Sequence, residues 1–155
     1  MPEKGFLDLI RAHKASGLEM PLVIVGGYSN SSHDQELEDA AHSGVIFTGA
    51  LGRLDVKALV GNAALFVLPS YHEGLPIVAL EASLLETPVL VSDIIPNKAI
   101  AFEPDRYFPL GDVDALAARL RSDTQGVAPS RLSSEFFWGN IADETWDVYR
   151  KMLDT

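Results

Sequence analysis

The sequence predicts an α/β domain in which a parallel sheet is covered by helices on both faces. Two observations lead there. Short continuous apolar runs, such as residues 65–68 and 88–92, have the pattern of strands buried on both faces. These runs alternate with helix-like stretches along the whole chain, the order that places a crossover helix between parallel strands. The chain has 155 residues, 47% of them hydrophobic, which suits one domain over 1–155 with a substantial core.

Residues 1–5 read as a loop, and Phe6, Leu7, Leu9 and Ile10 open a helix over 6–12. Residues 21–27 read as a strand closed by Gly26 and Gly27, followed by a polar loop over 28–32. Residues 34–42 read as a surface helix with Leu37, Ala40 and Ala41 inward. A short strand at 45–47 ends at Thr48 and Gly49, and a helix over 54–62 has a capping-style start. Strand 65–68 and a helix over 76–85 follow, then strand 88–92 with Asp93 beyond its end. Residues 94–104 are loop or short helix, and 106–109 a short edge strand. Asp112 caps a helix with Leu116, Ala117 and Leu120 inward. A polar link covers 122–130. A long terminal helix over 134–153 carries Phe136, Phe137, Trp138, Ile141, Trp146, Tyr149 and Met152.

The stretch from Leu65 to Ser92 organises the rest. Between its first strand and its helix lies the turn Tyr71-His72-Glu73-Gly74-Leu75-Pro76. Pro76 suits the first helical position, where a missing N–H costs nothing. The free amides of that first helical turn, with the positive end of the helix dipole behind them, form an anion site. The helix is apolar nearly all round and should be buried. Glu81 is the only charge from Gly74 to Leu85, and a charge in such a place needs a partner. It lies roughly 7–8 Å along the axis from Pro76, about the distance from a phosphate to the ribose of the same nucleotide. A carboxylate there can accept from both ribose hydroxyls. A Lys or Arg from elsewhere would serve the helix equally well, and Glu73 on its own reads equally as an exposed loop carboxylate. Ligands in parallel sheets bind beyond the carboxyl ends of the strands. The loops meeting there are near Lys4, Gly26–Ser29, Gly49–Arg53, Ser70–Leu75 and Asp93.

Composition excludes several classes. There are no cysteines, so disulfides and thiolate metal sites are absent. His13, His33, His42 and His72 form no i, i+4 pair, so a metal site has no support. The net charge of −10 disfavours nucleic acid as a partner and anchoring to an anionic membrane. No apolar run reaches the length of a membrane span, direct membrane insertion is not expected, and the start is not a signal peptide. The cytoplasm is the default location.

Glu73-Gly74-Leu75-Pro76…Glu81-Ala82, followed by Thr87-Pro88-Val89-Leu90-Val91-Ser92-Asp93, resembles the Glu-x7-Glu region of the retaining glycosyltransferases of family 4. Pro2-Glu3-Lys4-Gly5, Val23–Gly27, Phe47–Leu51, Arg106–Asp112 and Phe137-Trp138…Ala142…Tyr149 resemble other segments of that family in the right order. The resemblance implies a Rossmann-like parallel sheet, one half of a GT-B fold, with its first strand missing. It implies a nucleoside-diphosphate sugar as donor and no cofactor or metal. Lys4 matches the lysine at the donor diphosphate. Leu51 matches the position whose backbone meets the base, with Arg53 beside it. Glu73 matches the carboxylate facing the donor sugar. Gly74, Leu75, Pro76 and Ile77 match the amide turn at phosphates and sugar, and Glu81 matches the ribose ligand. Lys4 and Glu73 are thus the implied catalytic pair, and His72 has no implied role.

The sequence also departs from that family. The arginine that precedes the matching lysine is absent, as are the central strand carrying it and the N-terminal Rossmann-like domain that supplies the acceptor site. Asn97-Lys98-Ala99 replaces a loop that usually carries a glutamate. The resulting reading is the donor-binding half of a hexosyl-transferring enzyme, of the kind that builds cell-surface polysaccharides or glycolipids, inactive without its partner domain. A rival is a non-catalytic nucleotide-sugar or protein-binding module that docks a partner on the aromatic face of the terminal helix. A nicotinamide oxidoreductase is disfavoured because no Gly-x-Gly-x-x-Gly string occurs.

Overall fold

The computed structural model describes residues 2–27, 32–130 and 136–153. Its helices are α1 Phe6–Ser16, α2 Ser32–Ala40, α3 Arg53–Gly61, α4 Ile77–Leu84, α5 Ile95–Lys98, α6 Val113–Asp123 and α7 Trp138–Leu153. Its strands are β1 Leu22–Ile24, β2 Val45–Phe47, β3 Phe66–Leu68, β4 Val89–Ser92 and β5 Tyr107–Phe108. Short 3₁₀ turns occupy Pro2–Lys4, where a loop is expected, and Pro104–Arg106. The polar loop at 28–31 and the start of the terminal helix at 134–135 lie outside the described residues.

Every pairing among the described residues is parallel, with Leu22 opposite Val45, Phe66 opposite Val89 and Val91 opposite Tyr107. The expected single sheet is divided into β1–β2 and β3–β4–β5. Among the described residues no strand joins the two sheets. Helix α1 spans the interruption. Its Leu9 and Ala12 pack with Leu90, Phe108, Leu116, Ala117 and Leu120, while Ile10 packs with Ile24 and Leu37. Residues β4 Val89–Ser92 are wholly buried, as a strand covered on both faces must be.

Two helix starts behave differently from each other. Asp112 caps α6 by accepting from the Ala115 amide at 2.8 Å, which supplies a partner for one otherwise unpaired N–H. Helix α3 begins after Gly52 with no side-chain cap and buries none of its residues, so the expected cap is absent.

Helix α4 departs furthest from expectation. Pro76 stands before the first helical residue rather than at it. Only Ala79, Ala82 and Ser83 of the helix are buried, whereas Ile77, Val78 and Leu84 are 57%, 47% and 62% exposed. Small side chains and the half-buried Leu80 line the inner face against the β3–β4 core, and the other large apolar groups turn outward. Helix α7 starts four residues later than expected. Phe136 is half-buried against the β3–β4 core, Phe137 and Trp146 are exposed, and the side chain of Trp138 is not among those described.

The ends of α1 and β2 are joined by a histidine pair that no sequence spacing announces. His13 Nδ1 lies 3.1 Å from His42 Nε2, and His13 Nε2 lies 2.8 Å from the Met20 carbonyl. The Gly44 amide donates to His42 Nδ1 at 3.3 Å. A carbonyl only accepts and an amide only donates, so His13 carries its proton on Nε2 and His42 on Nε2. The chain is complete only while both rings are neutral. Burial, then the charges of His13 and Lys14, lowers the pKa of His42. A base depressed on folding contributes stability that is full above its unfolded value of about 6.5 and is lost as pH falls through the folded value. The thermal midpoint is therefore expected to drop between about pH 7.5 and about pH 5.5. In His42→Gln, whose amide donates to His13 but does not titrate, the drop is smaller. An equal drop in both proteins, read by circular dichroism melts, would remove the pair as its cause.

Candidate functional site

The site is assembled at the carboxyl end of β3. The Tyr71 amide donates to the Glu3 carbonyl at 2.8 Å, which lays the turn Pro2–Lys4 across the strand end. Gly5 then enters α1 with φ +68, and a Cβ there would stand 2.0 Å from the Pro69 carbonyl oxygen. Only glycine tolerates both that backbone and that approach.

Lys4 is thereby brought to Glu73. Its Nζ lies 2.9 Å from Oε1, with the side chains 31% and 12% exposed. The Ser70 hydroxyl donates to the same Oε1 at 2.6 Å. Among the described residues no donor reaches Oε2, so Glu73 is held by one oxygen and offers the other. Glu73 is therefore not the exposed loop carboxylate that its position allowed. Leu51, Gly74, Leu75 and Ile77 are exposed, and Pro76 is buried.

Sequence reasoning passed over the support beneath Glu73. Ser92 Oγ donates to the Ser70 carbonyl at 2.6 Å, and Asn97 Nδ2 donates to Ser92 Oγ and O at 3.0 and 2.9 Å. All three residues are fully buried. The available signal was a polar residue at the carboxyl end of each buried apolar run, a place where a hydroxyl has to find a partner.

The turn amides are only partly free. The Ile77 amide donates to the Leu75 carbonyl at 2.8 Å, and the Ala79 and Leu80 amides donate to the Pro76 carbonyl. Among the described residues the amides of Gly74, Leu75 and Val78 have no backbone acceptor. The expected row of open donors is thus shorter, and Ile77 is not one of them.

Glu81 finds a basic neighbour. Arg53 reaches its Oε1 at 3.5 Å, with the two side chains 80% and 41% exposed. Exposed pairs of this length contribute little, so Glu81 is accompanied rather than locked. Beside Lys4 lies a cavity of about 360 Å³ whose wall includes Glu3, Asp8, Glu36 and Tyr71. Its carboxylates repel an anion. Beyond β4, Asp93 accepts from the Leu110 amide at 3.0 Å. That bond, with the nearby Lys98, holds its carboxyl below the usual range. Among the described residues no three acidic or histidine side chains could hold a metal ion.

The family model described as "Glycosyl transferases group 1" matches residues 1–122. Alpha-maltose-1-phosphate synthase of Mycolicibacterium smegmatis is 30% identical over 97% of this chain and 45% of its own length. O-antigen chain mannosyltransferase B of Escherichia coli is 26% identical over 96% of this chain and 43% of its own. The chain thus spans less than half the length of these relatives. Among solved structures, sucrose-phosphate synthase of Thermosynechococcus elongatus superposes with a TM-score of 0.74, at 22% identity over 99% of this chain and 43% of that one. That likeness is one of fold.

Three substitutions separate the tight part of the site from the loose part. Gly5→Ala is expected to cost about 2 kcal/mol or more of folding stability. Arg53→Ala or Glu81→Gln should each change it by less than about 0.5 kcal/mol. Urea denaturation of the three variants checks both statements.

Proposed function

The chain belongs to the group 1 glycosyl transferases, and from that premise we propose that it is the donor-binding half of a two-domain retaining enzyme. It holds a nucleoside-diphosphate sugar beyond the carboxyl ends of β3 and β4. The observation that carries this reading is the joint placement of Lys4 and Glu73, with Glu73 Oε2 left open.

The roles follow from the chemistry of each group. Lys4 meets the diphosphate, with the free amides of Gly74, Leu75 and Val78 and the positive end of α4 adding to it. These are fixed donors aimed at charge that develops on the leaving group, and they require no metal. Glu73 Oε2 accepts from a hydroxyl of the sugar. Glu81 reaches the ribose, and the Leu51 backbone with Arg53 lies toward the base. To hold a ribose, Glu81 exchanges its contact with Arg53 for two hydroxyls, a small loss because that pair is exposed.

The acceptor, and the groups that face it, belong to the second domain that makes up the rest of the relatives' length. Hexosyl transfer into a cell-surface polysaccharide or glycolipid fits relatives named as a mannosyltransferase and a maltose-phosphate synthase. The parent enzyme then works in the cytoplasm, peripheral to the membrane. Among the described residues no helix is long and apolar enough to cross one.

One observation favours a second reading, a module that binds a protein partner without catalysis. Helix α7 exposes Ile141, Trp146, Val148, Tyr149 and Met152. The same face serves equally to dock the second domain of the enzyme, so the two readings part on ligand binding. Calorimetry with UDP, GDP and ADP should find weak binding of one of them. In Lys4→Ala that affinity falls roughly ten-fold or more, the worth of a hydrogen bond to a charged group. Glycosyl transfer by the isolated chain would overturn the division of labour between the domains.

A further inference from the structure

The string Asn97–Ser92–Ser70 has no part in the roles assigned so far, although it leads straight to Glu73. The two serine hydroxyls have one proton each and give it toward the site, and Asn97 spends both of its amide protons on Ser92. Asn97 Nδ2 donates to Ser92 Oγ, Ser92 Oγ donates to the Ser70 carbonyl, and Ser70 Oγ donates to Glu73 Oε1. All three residues are fully buried, so none can exchange these bonds for water without opening the core. The far end is fixed as well, because Asn97 Nδ2 also holds the Ser92 carbonyl at 2.9 Å.

We infer that Ser70 is the positioning residue for Glu73, holding Oε1 toward Lys4 so that Oε2 faces the donor's sugar. This rests on the donor-binding reading above. The reason is a comparison of the two donors on Oε1. Lys4 is 31% exposed on a flexible stem, and a contact of that kind fixes an orientation poorly. Ser70 is short, buried and tied through its own carbonyl to β4. Without its hydroxyl the carboxylate is free to turn about its last torsion, which is broad for a glutamate. Recognition of the sugar then weakens, whereas recognition of the diphosphate, which runs through Lys4 and the turn amides, does not.

The experiment titrates the 155-residue chain by calorimetry with UDP, GDP and ADP and with the glucose ester of each. The quantity read is the ratio of affinities, sugar ester over bare nucleoside diphosphate, for the best-bound base. In wild type the ester is preferred roughly ten-fold. Ser70→Ala and Glu73→Gln are both expected to lose at least about five-fold of that preference, and in Ser70→Ala the affinity for the bare diphosphate does not fall. Ser70→Thr, which keeps the hydroxyl, restores the preference. Should Ser70→Ala fail to fold, Ser92→Ala, which cuts the string one link earlier, is expected to lose the preference in the same sense. An unchanged ratio in Ser70→Ala beside a lost one in Glu73→Gln overturns the inference alone. So does an equal loss for ester and bare diphosphate, which a merely structural serine would give. A wild-type chain that binds none of the six ligands overturns the donor-binding reading, and the inference falls with it.

Discussion

The tight approach of Gly5 to the Pro69 carbonyl is the constraint on which the rest depends. It fixes where α1 begins, and α1 is the helix that packs on both sheets. It also fixes the residue before it. Lys4 stands over the end of β3 because Gly5 turns there and because the Tyr71 amide ties down the Glu3 carbonyl. The packing of the two halves and the placement of the site cation are therefore one geometric fact. A backbone shift of an ångström at this point would move the ammonium and the bridging helix together.

The electrostatics of the site follow from that placement. The chain carries a net charge of −10, and the cavity beside Lys4 is lined by carboxylates. An anionic ligand is thus attracted only where Lys4 and the turn amides outweigh the surrounding field. Glu73 takes part of the Lys4 charge through Oε1 before any ligand arrives. This lowers the attraction for bare phosphate, while the buried Ser70 hydroxyl holds the Glu73 carboxylate in place before the ligand comes. On the proposed reading, a site arranged this way would favour a ligand that carries both a phosphate and a hydroxyl over one that carries the phosphate alone.

The sequence revealed the parts of the fold that local pattern controls. Parallel strands show as unbroken apolar runs, and 45–47 and 88–92 lie within a residue of the observed strands, but only the second is buried throughout, since Ile46 is 48% exposed. Asp112 was legible because a cap is a contact between residues three apart. The burial of α4 was not legible. Its composition marks an apolar helix, but only packing decides that alanines face the strands while Ile77, Val78 and Leu84 face outward. The histidine pair and the Asn97–Ser92–Ser70 string were invisible for a similar reason. Their partners are separated by long stretches of chain or hidden at strand ends, where pattern reads only hydrophobicity. Lys4 and Glu73 are 69 residues apart, and the family resemblance, not spacing, joined them beforehand.

The case for Glu81 changes once α4 is seen to be half open. An acid on a fully buried helix demands a ligand or an ion pair, since its desolvation is otherwise unmet. Glu81 is 41% exposed, so water meets that demand and the argument from burial loses its force. Its partner Arg53 is 80% exposed and does not immobilise it either. What remains is position: Glu81 stands one helical turn beyond the start of α4, facing the opening of α3 that carries Arg53. Glu73 is in the opposite case. It is mostly buried, it is held at one oxygen by two donors, and its second oxygen is unused. That second oxygen is not among the buried unpaired atoms, so water reaches it, and it is there that the proposed donor sugar would exchange a hydroxyl for water. The weight of the functional reading therefore moves from the acid inside the helix to the acid before it.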